Sequence, residues 1–396
     1  VRRPAELAAH ADDIQAADAL LFYAAGDGGG DLLANVNYID GLGKHTICFV
    51  RHKSGPLYYW YEGAMARLLH QHTDTLATRS IGYEDMVVDS LDEVRWRLRS
   101  LCGLHNTLGS RILAVGGPNA WGQPKEVVAD LVRAKWQLDI RTVAYEELGP
   151  LIAAAKSDAA ACAQARQQAD AYVQLPGTQV ETQRAFIDNA FLLEQVFRRM
   201  MQEAECRLLT INGCMGTIMP LAETSACLTL SLLNDAGYQA YCESDFVVIP
   251  AGILLAHISG RPVFLNDPTY PHDHCITLAH CTAPRRMSGQ QLDPARIMPH
   301  FESDYGAETK VEMPRGQLLT NIIPDFRAER WTGLRGQIHA APCLPICRSQ
   351  IDIRYTCSDD VLARQMAGFH WMTGYGDYLR EVGYALHKVG IAWDVL

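Results

Sequence analysis

Two hydrophobic rhythms alternate along the first half of the chain. Runs such as ALLFYA from Ala19, HTICFV from His45 and RILAV from Arg111 are continuous apolar stretches of strand length. SLDEVRWRLRSL from Ser90 and VVADLVRAKWQL from Val127 instead repeat their apolar positions at helical spacing, as does EGAMARLLHQH over 62–72. Strand, helix and strand in succession predict βα units around parallel sheets. The alanine-rich stretch 151–175 reads as a polar, exposed helix and linker that stops at Pro176 and Gly177. A long amphipathic helix follows over about 180–205, with Phe186, Ala190, Leu193, Phe197 and Met201 on one face. CRLLTIN from Cys206 is a buried strand, and the apolar helix VVIPAGILLAHIS stops at Gly260.

Beyond that helix the rhythm shortens. RPVFLND, ITLAHCT, KVEMPRGQLLTNII, GLRGQIHAAP and QIDIRYT each read as a short strand bounded by Gly, Pro or Asp turns, and a barrel or closed sheet would satisfy their edges. The last helix is expected over 377–389, with His370 on the loop just before it. The fold class that follows is α/β, with two doubly wound, Rossmann-like parallel-sheet domains and a β-rich, barrel-like C-terminal domain. Boundaries are expected at 1–108, 109–258 and 259–396.

Composition narrows the function. With 396 residues and 48% hydrophobic content the chain can bury sizeable cores. A net charge of −10 without a clustered basic patch excludes a nucleic-acid surface and leaves small polar ligands. Twelve cysteines without dense, regular spacing suit a reducing cytosol, and Cys343 and Cys347 read as buried thiols. No apolar run reaches the ~18 residues that span a bilayer, and the first residues lack a signal core, so a cytoplasmic protein without membrane contact is expected. The glycine-rich loop 26–31 lacks the dinucleotide fingerprint, and Asp27 and Asp31 would repel an anion, so no nucleotide cofactor is expected. GLGKH at Gly41 is no P-loop. The aromatic run YYWY at 58–61 suits core packing or a subunit interface, and rings of this kind also stack on sugars.

The chemistry concentrates in 241–286. There Glu243 lies in a polar turn, Asp267 ends an apolar strand and His280 ends another, with His370 far downstream. Two carboxylates and two imidazoles suit a hard or borderline divalent cation such as Mn²⁺. Among 14 His and 45 acidic residues, capping and backbone hydrogen bonding are the competing roles. Asn212, on the loop after the Cys206 strand, and His300, Glu302 and Trp371 are candidates for contact with a substrate; solvated turn positions serve His300 and Glu302 equally well.

The order Glu243, Asp267 before PTY, His280 in LAHC and His370 before GYGD resembles the L-fucose isomerase and L-arabinose isomerase superfamily, nearest its fucose isomerase-like branch, over about the last 160 residues. The resemblance implies that Glu243, Asp267, His280 and His370 are metal ligands, with Mn²⁺ the expected ion and Mg²⁺ or Co²⁺ as substitutes. It implies aldose–ketose isomerisation of a pentose or deoxyhexose through a cis-enediolate, with Glu243 and Asp267 as acid–base groups. It also implies a homo-oligomer, usually a trimer or hexamer. A lyase or epimerase using the same enediolate, and a non-catalytic sugar-binding protein, are the alternatives.

Overall fold

The computed structural model describes residues 4–24, 32–53, 55 and 81–396. The glycine-rich loop at 26–31, the YYWY run and the helix expected over 62–72 lie outside the described residues. The chain forms two compact units, Val1–His105 and Asn106–Leu396. In the first, strands β1 (Ala19–Ala24), β2 (His45–Val50) and β3 (Met86–Val88) pair in parallel in that order.

The second unit holds a four-stranded parallel sheet built from β4 (Arg111–Val115), β5 (Asp139–Val143), β7 (Leu208–Ile211) and β8 (Gln239–Cys242), in the order β5-β4-β7-β8. The chain leaves β4 for β5 on one side and returns to β7 on the other. The strand order therefore reverses between β4 and β7, and loops at the carboxyl ends of the strands splay apart there into a crevice. Helix Arg184–Glu203 packs on this sheet through Leu193, Phe197 and Met201, all buried at helical spacing; it starts later than the expected 180, because Val180 ends a three-residue strand, β6 (Thr178–Val180).

The alanine-rich stretch needs correction. It forms two helices, Tyr145–Ser157 and Ala159–Val173, and Asp158 between them caps the second by accepting N–H bonds from Ala160 and Ala161. Ala165, Ala169 and Tyr172 are buried against Ile187 and Phe191, because alanine lets two helices approach closely. What reads as a polar linker is half a helix–helix interface.

Six antiparallel strands then close a barrel: β9 (Phe264–Pro268), β10 (Cys275–His280), β13 (Leu318–Ile323), β14 (Arg330–Ala340), β15 (Ser349–Arg354) and β16 (Trp371–Tyr375), in the order β13-β16-β9-β10-β15-β14 with β14 returning to β13. Strand β17 (Ala392–Val395) adds in parallel to β14. A separate small sheet of β6, β11 (Ala295–His300) and β12 (Tyr305–Val311) packs beside the barrel, where Ser349 of β15 donates to Thr309 O (2.6 Å) and accepts the Val311 N–H (3.0 Å). Phe264, Ile276, Leu278, Leu319, Ile351, Ile353 and Trp371 share the barrel's apolar core.

The parallel α/β layers and the closed barrel expected from the sequence are thus both present, and the second parallel sheet and the barrel fall within one compact unit. Two local readings change. KVEMPRGQLLTNII is not one strand but the end of β12, a turn through Pro314, and β13. His370 does not precede the last helix directly, because the buried strand β16 intervenes before helix Leu379–Lys388. Among the described residues, no single helix is long and apolar enough to cross a membrane.

Candidate metal centre

Barrel register brings three of the four expected ligands together. β9 is the middle strand: Asp267 lies opposite Ala279 of β10, and Asn266 lies opposite Trp371 of β16. His280 ends β10, next to Ala279, and His370 stands just before β16 with its Nε2 3.1 Å from Asp267 Oδ1. The fourth ligand comes from the parallel sheet. β8 ends at Cys242, and the chain turns sharply through Glu243 (φ 62°) and Ser244 (φ 48°), a left-handed conformation that ordinary side chains adopt only where the surroundings hold them.

What holds this turn is the loop after β4. The Asn119 N–H donates to Ser244 O (2.9 Å), the Phe246 N–H donates to Asn119 O (3.1 Å), and the Trp121 indole N–H donates to Glu243 Oε2 at 2.5 Å. Gly116 starts that loop at φ 78°, and a side chain there would collide with Tyr145.

Glu243 Oε1 lies 3.7 Å from His280 Nε2, and Glu243 Oε2 lies 3.5 Å from His370 Nε2. One donor atom from each of Glu243, His280 and His370 falls within 4.8 Å of the others, a spacing that can hold a metal ion. Asp267 joins through His370: its Oδ1 is 3.1 Å from His370 Nε2. Both atoms are buried and, apart from one another, neither has a hydrogen-bond partner among the described residues. With Nε2 unprotonated they would meet as two bare acceptors, at a cost of ~1–3 kcal/mol, so they call for something shared between them. A proton on Nε2 or a metal cation satisfies both.

The tautomer of His370 agrees. Its Nδ1 lies 2.7 Å from Asp245 Oδ2, a side chain only 2% exposed, while Asp245 Oδ1 accepts the Val247 N–H at 3.0 Å. An Nδ1–H donated to Asp245 leaves the Nε2 lone pair directed at Glu243 and Asp267, the carboxylate–histidine arrangement that orients metal-binding imidazoles. His280 is oriented more weakly, with Thr282 Oγ1 at 3.3 Å from its Nδ1.

Electrostatics show what a metal would have to displace. Burial pushes the Glu243 carboxyl up, but His280, His370 and the Trp121 N–H beside it more than reverse this and hold it down to about 2. Burial pushes His370 down, and the Asp245 and Asp267 carboxylates more than reverse that, holding it up at about 10. Without a metal, His370 is therefore protonated at neutral pH and shares its two N–H groups between Asp245 and Asp267; a bound cation would take the place of the Nε2 proton and offset the charge of Glu243 and Asp267.

The substrate-contact candidates fare differently. Asn212 is half-buried at the end of β7, its N–H bonded to Val115 O (2.8 Å), on the same sheet edge as Glu243. His300 is buried at the end of β11 among thiols, and Glu302 is exposed. Trp371 is fully buried in the barrel core, so it supports β16 from inside. Cys343, expected to be buried, is exposed.

Sequence reasoning missed three residues of the centre. Asp245 stood two places from Glu243 in CESD and could have been read as the partner of a ligand. Asn119 and Trp121 sit in GGPNAWG, the loop that follows β4. Trp121 also stacks on Phe369 (centroids 4.2 Å apart, 16° between planes), and Phe369 meets the His370 ring edge-on at 4.8 Å. Both aromatic rings are 47% exposed beside the centre. No protein-family model matches the chain, and no curated protein matches it either.

Proposed function

We propose that this chain is a metal-dependent sugar isomerase that interconverts an aldose and a ketose of pentose or deoxyhexose type, in keeping with its resemblance to the L-fucose and L-arabinose isomerases. The observation that carries this reading is the convergence of one donor atom each from Glu243, His280 and His370 within 4.8 Å, with Asp267 Oδ1 3.1 Å from His370 Nε2. Glu243, Asp267, His280 and His370 would hold the ion, and Mn²⁺ suits this mixed oxygen and nitrogen set, with Mg²⁺ or Co²⁺ as substitutes. When bound, such an ion supplies positive charge against the enediolate that forms when a proton leaves the carbon beside a carbonyl.

The protein's own groups divide the remaining work. The two imidazoles are 1% and 0% exposed, whereas the side chains of Glu243 and Asp267 are 38% and 31% exposed. The histidines therefore anchor, and the carboxylates present an oxygen to the open side. One carboxylate takes the proton from the carbon beside the carbonyl and a proton is returned to the neighbouring carbon, a contribution of ~10²–10⁴-fold for general acid–base help. Asp245 keeps His370 aligned, and the Trp121 N–H restrains Glu243. A homo-oligomer belongs to the same reading.

Metal analysis of the purified protein, combined with NMR of pentoses and deoxyhexoses in D₂O, tests it. Solvent deuterium at the carbon next to the carbonyl, with appearance of the paired ketose, is expected. Deuterium with cleavage or inversion would favour the lyase or epimerase alternative. Sugar binding with no exchange would leave a binding protein and overturn the proposal.

A further inference from the structure

A second cluster of metal-binding groups adjoins the end of β10, and nothing in the isomerase reading uses it. Cys227 opens helix Cys227–Asp235, Cys281 directly follows β10, and His300 ends β11. One donor atom from each lies within 4.8 Å of the other two. They are 1%, 6% and 6% exposed. Two further thiols adjoin them, Cys214 beside Cys227 and Cys242 beside Cys281, and all of these cysteines are free. Ser303 Oγ, 3.0 Å from His300 Nδ1, fixes the imidazole ring. Three donors thus converge on one buried spot from three separate segments of chain, with two more thiols adjoining two of them.

We propose that Cys227, Cys281 and His300 form a second metal site that takes Zn²⁺, with the fourth position open to Cys214, Cys242 or water. Zinc bonds of ~2.3 Å to sulfur and ~2.0–2.1 Å to nitrogen put tetrahedral donors about 3.5–3.8 Å apart, so the present spacing needs little closure. Charge decides between this ion and a harder one. Two thiolates cancel the charge of Zn²⁺ and the imidazole is neutral, so a fully buried assembly carries no net charge and escapes the large penalty of an isolated buried ion. Glu308, a buried carboxylate that feels Cys227, already accepts N–H bonds from Arg348 (2.6 Å) and Phe301 (3.3 Å), which leaves a soft donor set that favours Zn²⁺ over Mn²⁺ or Mg²⁺.

The two centres meet at successive residues. His280 belongs to the carboxylate centre and Cys281 to the thiolate one, and Cys281 Sγ lies 3.6 Å from His280 Nδ1. Zinc here would pin the end of β10, and with it His280, to helix Cys227–Asp235 and to β11. Its place in a closed interior implies that it loads as the chain folds.

Cobalt substitution of the full-length protein reads the site directly, because only a thiolate-bound Co²⁺ gives an intense near-ultraviolet charge-transfer absorption. One equivalent of that absorption is expected, bleached by Zn²⁺ and indifferent to Mn²⁺. Cys227→Ser and His300→Gln should each weaken Co²⁺ binding there roughly 10-fold or more, with Mn²⁺ binding at the Glu243 centre retained. Should those variants not fold, ¹¹³Cd NMR of the unmodified protein decides, a resonance in the sulfur-ligated range being expected. No thiolate absorption, an absorption unchanged in both variants, a cadmium signal confined to the oxygen- and nitrogen-ligated range, or a Cys227–Cys281 disulfide found by thiol titration would each overturn the proposal.

Discussion

His370 Nδ1 and Asp245 Oδ2 lie 2.7 Å apart although 125 positions separate them in the chain. One residue comes from the entry to barrel strand β16 and the other from the turn after β8, so this bond ties the barrel to the parallel sheet while it selects the tautomer that turns Nε2 toward Glu243 and Asp267. Asp245→Ala should weaken Mn²⁺ binding by roughly 10- to 100-fold. Asp245→Asn, which keeps the shape and an acceptor oxygen, should recover part of that loss. Electron paramagnetic resonance of free Mn²⁺ measures both, and wild-type affinity in Asp245→Ala would remove Asp245 from the centre.

Trp121 offers a separable test because it does two things. Its indole N–H donates to Glu243, and its ring stacks on Phe369. Trp121→Phe deletes the donor and keeps an aromatic ring. A hydrogen bond to a charged group contributes about 1.5–3 kcal/mol, and partial exposure places this one toward the lower end, so kcat/KM should fall roughly 10-fold. Trp121→Ala should fall further by removing the stacked face as well. Equal activity for wild type and Trp121→Phe would mean that the N–H does not restrain Glu243.

Much of this centre was legible in the sequence because ligands at strand ends leave a local signature: an apolar run that stops at an acid or a histidine. Asp267 and His280 follow that rule. Asp245 and Trp121 do not, since what matters for them is the stitching of two loops through Asn119, which is not encoded within a short window. The barrel was legible as alternating short strands, whereas β16 was missed because WMTGY is short and contains glycine. The alanine-rich helices were misread for a related reason: Ala165 and Ala169 carry too little apolar surface to advertise an interface that they form by letting helices approach. The convergence of Cys227, Cys281 and His300 is likewise a property of the tertiary fold, and no cysteine spacing announces it.

Metal binding should also appear as stability. A cation that binds only the folded chain at 100 times its dissociation constant stabilises by about 2.7 kcal/mol. At roughly 2–4 °C per kcal/mol for a large domain, Mn²⁺ added to chelator-treated protein should raise Tm by about 5–10 °C. Glu243→Gln should lose most of that increment, because it removes a carboxylate charge while keeping the side-chain shape. A Tm that ignores Mn²⁺ in the wild type would count against the carboxylate centre irrespective of any activity.

His257 provides a pH test remote from the ligands. In the last turn of helix Ile249–Ser259, its Nδ1 lies 3.2 Å from Thr107 Oγ1 and its Nε2 lies 3.0 Å from the Gln239 amide nitrogen, whose Oε1 accepts the Tyr241 hydroxyl at 2.9 Å. That amide orientation makes Nε2 an acceptor, so a second proton on the ring would face a donor. Burial lowers the imidazole from 6.5 to about 4. Because the folded value is depressed, the unfolded chain takes up the proton first as pH falls: the stabilisation is complete above pH 6.5 and is lost progressively down to about 4. Within that window the slope from this group approaches ~1.4 kcal/mol per pH unit. His257→Gln, which can hydrogen-bond but not titrate, should be less acid-sensitive than wild type in urea unfolding at successive pH values. Parallel stability–pH curves for the two proteins would show that His257 titrates alike in the folded and unfolded states, against the geometry described.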